Sequence, residues 1–133
     1  MDASESTRRV VETQDAPAPI GPYSQAVIAN GVLYCSGQVP LDPESGELIE
    51  GGIAEQASRC LESLEAVCRE AGARLQDAAR IGIFLTEMAE FTKVNDVYAT
   101  FFEKPFPVRT TVGVAALPKG ALVEMDATVP LPS

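Results

Sequence analysis

The chain contains no histidine and no tryptophan. Without an imidazole there is no Ser-His-Asp or Cys-His nucleophile system, and a catalytic zinc or non-haem iron site loses its commonest ligand. Cysteine is scarce. Cys35, Cys60 and Cys68 are odd in number and show no CxxC spacing, which argues against a disulfide framework and for a reducing compartment. Positive charge is in short supply too: 10 Lys and Arg against 19 Asp and Glu leave a net charge of −9. Nucleic acid and anionic membranes are therefore unfavoured partners, and an anionic substrate has to be drawn in by a local cation. No apolar run approaches the about 20 residues needed to span a bilayer. The opening MDASESTRRVVET lacks the apolar segment of a secretory signal, so a cytoplasmic location is expected.

What is present suits a globular chain. At 133 residues and 46% hydrophobic content, one domain (1–133) can bury a core without staples, with Met1–Ser6 expected as a flexible polar tail. A short strand is expected between Thr7 and Thr13. Ala16-Pro17-Ala18-Pro19-Ile20-Gly21-Pro22 excludes regular structure, because each proline removes a donor and restrains its neighbour. Tyr23–Ile28 and Val32–Ser36 then read as two strands of a hairpin, split by an Asn30-Gly31 signal for a type I′ turn.

From Ile53 to Ala71 apolar residues recur in steps of three and four (Ala57, Cys60, Leu61, Leu64, Val67, Cys68), predicting an amphipathic helix ended by Gly72. Ala78–Leu85 reads as a buried strand. A second helix is expected over Glu90–Phe102, with Phe91, Val94, Val97, Tyr98, Phe101 and Phe102 inward. The order βββ-α-β-α-ββ predicts a two-layer α+β domain with both helices on one face of a mixed, mainly antiparallel sheet. The other face, with Val39, Leu41 and Leu122 nearby, is a candidate for half-burial against another subunit.

The most informative stretch is Pro105–Val129. It reads as strands Arg109–Val114 and Leu122–Val129 joined by a tight connection at Leu117-Pro118-Lys119-Gly120. Alternation sets Val123, Met125, Ala127 and Val129 on the core side, opposite Glu124, Asp126 and Thr128. In the first strand Thr110, Val112 and Val114 are assigned to the core side. Arg109 and Thr111 then share the open side with the carboxylates. An ordinary cross-strand ion pair explains that pattern; so does a site in which a fixed cation grips a carboxylate and a glutamate handles a proton.

Pro107, Arg109, Val114, Leu117-Pro118, Gly120, Val123-Glu124 and Ala127, with GPYSQA at 21–26 and SGQ at 36–38, closely resemble the motifs of the Rid (RidA/YjgF) family. The resemblance covers nearly the whole chain from Arg9. It implies a chorismate-mutase-like (YjgF-like) fold and homotrimers with three sites in the clefts between subunits. It also implies hydrolysis of reactive imine and enamine intermediates, such as 2-aminoacrylate and 2-iminobutanoate, to 2-keto acids and ammonia, without a metal or organic cofactor.

Family site positions fall on Tyr23, Ser36, Gly37, Asn95, Arg109, Thr111 and Glu124. Arg109 corresponds to the carboxylate-binding arginine and Glu124 to the water-orienting glutamate. Thr111 stands where some members have cysteine, so hydrolysis here cannot require a thiol at that position. Taken without the resemblance, Asn95 is a solvent-facing helix residue and Tyr23 a core tyrosine with its hydroxyl at the rim. Two other functions stay open: a trimeric module that binds small carboxylates without catalysis, and an endoribonuclease or translation inhibitor.

Overall fold

A computed structural model describes residues 8–133; the expected tail at Met1–Ser6, and Thr7, lie outside the described residues. Strands β1 (Arg9–Val11), β2 (Ala26–Ala29) and β3 (Val32–Gln38) are followed by helix α1 (Ile53–Glu70). Strand β4 (Arg80–Leu85), helix α2 (Phe91–Phe101), strand β5 (Val108–Gly113) and strand β6 (Val123–Pro130) complete the order. The six strands form one sheet in the order β1-β2-β3-β6-β4-β5, antiparallel except for the parallel pair β4–β5.

Local chemistry explains the element ends. Asn30 and Gly31 take φ of 51° and 77°, the left-handed pair that a type I′ turn requires between β2 and β3. The first exposed N–H of α1, on Gly52, donates to the Glu55 carboxylate at 2.8 Å. At its other end Gly72 (φ 79°) lets the chain reverse, with Ala73 N–H donating to Cys68 C=O at 2.8 Å. The N–H of Leu122 donates to the buried Gln56 amide oxygen at 2.8 Å, so this polar residue in the α1 interface is satisfied.

Both helices cover one sheet face. Leu61, Leu64 and Val67 of α1 and Val94 and Tyr98 of α2 pack with Leu33, Ile81, Ile83, Leu85, Val123, Met125 and Val129. Several of these are wholly buried, each worth about 1.5–3 kcal/mol in transfer free energy. Phe91, Val97 and Phe101, expected inward, are only half-buried, because α2 lies beside the β4–β5 edge and offers part of its aromatic stripe elsewhere.

Three expectations are corrected. First, β5 and β6 are not adjacent: β4 lies between them, and the turn at Pro118–Gly120 carries the chain across it. The long alternating β6 has a fully apolar side and takes a central place, whereas β5 is a sheet edge. Second, the faces of β5 are reversed. Ile81 stands beside both Arg109 and Ala127, and Phe84 beside both Val112 and Glu124. Residues paired across a ladder share a face, so Arg109 and Thr111 lie on the helix side, and Thr110 and Val112 on the open side with Glu124. Third, Val39 and Leu41 are already buried with Ala121 in a small core of their own, and Leu122 packs against the main core. Val39 and Leu41 are thus not available as open apolar surface, and Leu122 is so only in part.

The open face still carries apolar groups. Val10, Tyr34, Val108 and Val112 are 59%, 48%, 68% and 39% exposed, an apolar share that a solvated sheet face does not need.

Candidate active site

The expected site residues form two groups. The first gathers around an irregularity in β3. Cys35 pairs with Ala127 and Gln38 with Met125, three steps on one strand against two on the other, so an extra residue bulges the ladder at Ser36–Gly37. The bulge brings Gly37 under the Glu124 side chain so closely that a Cβ at position 37 would coincide with the carboxylate. Glycine thus leaves room for the Glu124 side chain to lie over β3, and any Cβ here would have to push that carboxylate aside. Burial, and after it the nearby Asp126 charge, raise the Glu124 carboxyl above its ordinary value.

Ser36 and Tyr23 border the same region through the proline-rich loop. Gln25, 3% exposed, anchors that loop: its amide nitrogen lies 2.9–3.3 Å from the carbonyls of Thr13, Ala16 and Pro17. The Ser36 hydroxyl lies 2.9 Å from the carbonyl oxygens of both Ser24 and Gln25. Its proton is therefore engaged by backbone. Tyr23 is 46% exposed and not a core residue; its hydroxyl accepts from Ile20 N–H at 3.2 Å. Tyr23, Ser36, Val27 and Tyr34 line a shallow hollow of about 480 Å³.

The second group lies on the helix side, at the sheet edge. One Nη of Arg109 donates to Asn95 Oδ1 at 2.7 Å. The guanidinium carbon sits 4.8 Å from the Tyr98 ring centroid and 5.5 Å from that of Phe91. Among the described residues no carboxylate lies within ion-pair distance of Arg109. The cross-strand ion pair that the sequence suggested belongs instead to Arg80 and Asp126, 3.4 Å apart on the open face. Thr111 lies two residues along from Arg109 on its face, and its hydroxyl is buried without a partner. Asn95, Tyr98, Ala99, Phe106, Pro107 and Arg109 line a hollow of about 350 Å³.

The two groups do not meet within the chain: Arg109 and Glu124 project from opposite faces of the sheet. Arg80, Phe91 and Tyr98 were missed as neighbours of site residues. The spacing Phe91-Asn95-Tyr98, four then three, could have marked one helical face directed at a single target. Among the described residues a larger hollow, about 820 Å³, lies elsewhere, and its lining includes Glu12, Asp15, Glu44 and Glu70, whose charge disfavours an anionic substrate. The three thiols are free and buried. Those of Cys35 and Cys60 are held protonated, the first by its contact with Cys68 and then burial, the second by burial. None serves as an exposed nucleophile.

The family model described as Endoribonuclease L-PSP, which covers the YjgF/RidA proteins, matches residues 13–130. The chain belongs to the Rid family. The 2-iminobutanoate/2-iminopropanoate deaminase of Bos taurus is 42% identical over 124 residues, covering 93% of this chain and 90% of that protein. RidA from the Antarctic bacterium Psychrobacter sp. PAMC 21119 superposes with a TM-score of 0.90 at 40% identity, over 93% of this chain and 100% of that one. Escherichia coli TdcF, solved with bound serine, gives a TM-score of 0.88 at 35% identity, over 93% and 99%. The sheet and helices are those of the chorismate-mutase-like fold of the Rid proteins.

Proposed function

We propose that this Rid protein is an imine deaminase, hydrolysing 2-imino acids such as 2-iminobutanoate and 2-iminopropanoate to 2-keto acids and ammonia. We propose further that it works as a cytoplasmic homotrimer, each site combining Arg109 of one protomer with Glu124 of its neighbour. One observation carries the reading: Arg109 is a fixed cation oriented by neutral groups, with no carboxylate cancelling its charge among the described residues. Such a group is built to receive an anion from outside.

In the proposed reaction Arg109 grips the substrate carboxylate with two N–H donors and fixes the imine carbon in the cleft. Backbone carbonyls beside Arg109 accept the imine N–H and favour the more electrophilic protonated form. A water held by Glu124 of the neighbour attacks the C=N carbon, and the carboxylate takes its proton. The resulting carbinolamine expels ammonia and leaves the 2-keto acid. Tyr23 caps the cleft, while Ser36, Gly37, Asn95 and Thr111 line it, Thr111 contributing an unpartnered hydroxyl. The kinship with a deaminase and with a serine-bound relative supports a small amino-acid-like ligand. Opposite placement of Arg109 and Glu124, and exposed Val108 and Val112 on the open face, support assembly of the site between copies.

The test is ammonia release from 2-iminobutanoate generated in situ, with the purified protein and at the spontaneous rate without it. Acceleration is expected. Binding of a small carboxylate with no acceleration would replace the enzyme with a binding module. The family description also names an endoribonuclease. A net charge of −9 and the carboxylates of Glu124 and Asp126 on the open face oppose that reading. RNA binding with a steep salt dependence would revive it.

A further inference from the structure

Phe91, Asn95 and Tyr98 are spaced by four and three residues on α2, so they form one stripe along the helix. All three contact the guanidinium of Arg109. A carboxylate in that position would orient the cation equally well and cancel its charge. Aromatic faces attract a cation through their quadrupole but accept no strong hydrogen bond, so the N–H edges stay available. Asn95 occupies one Nη and leaves the other donors free.

We infer that Phe91 and Tyr98 are positioning residues: their rings hold the Arg109 guanidinium in the orientation that receives the substrate carboxylate, and so set substrate affinity. This rests on the reading of Arg109 as the carboxylate grip. Tyr98 is itself well fixed, 7% exposed and stacked on Phe102 with ring centroids 4.4 Å apart and planes at 29°. Its hydroxyl is buried and finds no partner. The ring, not the hydroxyl, therefore does the positioning, and phenylalanine at this place keeps the function. The shorter distance makes Tyr98 the stronger of the two contacts.

Calorimetric titration with 2-oxobutanoate, the keto-acid product, tests this with Tyr98→Phe, Tyr98→Leu and Phe91→Leu. Tyr98→Leu is expected to weaken binding about tenfold, the scale of one partly desolvated cation–π contact. Phe91→Leu weakens it less, and Tyr98→Phe leaves it unchanged. In turnover the same losses appear in KM, with kcat kept. An unchanged Kd in folded Tyr98→Leu would overturn the inference, as would a Tyr98→Phe protein that binds as poorly as Tyr98→Leu. Should Tyr98→Leu fail to fold, the half-buried Phe91 still decides: a wild-type Kd in Phe91→Leu overturns it. Binding without ammonia release by the wild type would remove the deaminase reading and leave this one standing.

Discussion

Arg109 and Glu124 point to opposite faces of one sheet, with the single strand β4 between the strands that carry them. No rotamer change brings a group on the helix side to meet one on the open side. If both act on one substrate, they come from different copies of the chain. That geometry organises the predictions that follow.

Arg109→Ala removes the proposed carboxylate grip and leaves the core untouched, since the side chain is half-buried at the edge. Hydrogen bonds to charged groups contribute about 1.5–3 kcal/mol each, so losing two lowers kcat/KM by roughly 10²–10⁴. The thermal midpoint stays near that of the wild type. Steady-state ammonia release and a melting curve check both halves of the prediction, and undiminished turnover would remove Arg109 from the mechanism.

Glu124 is expected to set the acid limb of the rate. Its carboxyl is raised by burial and by Asp126, so it takes up a proton at a pH above the ordinary glutamate value of 4.5. In the proposed reaction the water-activating form is the carboxylate, so activity is expected to fall as pH drops through that raised value. Stability has the opposite sign: the folded state binds this proton more tightly, so the contribution of Glu124 to stability declines as pH rises from the unfolded to the folded pKa. A pH–rate profile of the wild type beside Glu124→Gln checks the first statement. The variant is expected to be slower by roughly 10²–10⁴ and to lack the acid limb.

Gly37→Ala tests the bulge. The new methyl collides with the Glu124 carboxylate, which must swing aside. Because the obstructing atoms are the end of a flexible, half-buried side chain, the effect on stability is expected to be small. The rate falls towards that of Glu124→Gln, because the carboxylate is misplaced rather than absent. Kinetics of both variants, measured on folded protein, decide this; a Gly37→Ala enzyme with wild-type kcat would mean that the carboxylate position is immaterial.

Val108→Glu with Val112→Glu charges the open face without touching the buried core, both side chains being exposed in the single chain. In an assembly these groups are desolvated, and an unpaired buried charge is strongly unfavourable. The double variant is expected to be folded, monomeric by light scattering, and inactive. A monomer that keeps its activity would contradict a site shared between copies.

Much of the fold was legible because period and punctuation are local. The three- and four-residue steps of α1, the Asn30-Gly31 turn and the Gly72 stop each follow from a few neighbouring residues. Strand order was not, because the slot of β6 between β3 and β4 is set by long-range packing. The face of β5 was misread for a physical reason. Val112 is apolar and was assigned to the core, yet it lies on a face no helix covers, while charged Arg109 turns inward against two aromatic rings. Glu124 and Gly37 were both expected in the site; their contact depends on the register of β3 against β6, which is set by pairing between distant segments.

The most direct test of the shared site is subunit complementation. Arg109→Ala and Glu124→Gln proteins, each nearly inactive alone, are unfolded together, refolded at equal ratio and assayed for ammonia release. If each site takes Arg109 from one protomer and Glu124 from its neighbour, random assembly restores about a quarter of the wild-type rate, since each half-site is intact in about half of the protomers. A mixture no more active than the two variants apart would contradict the account.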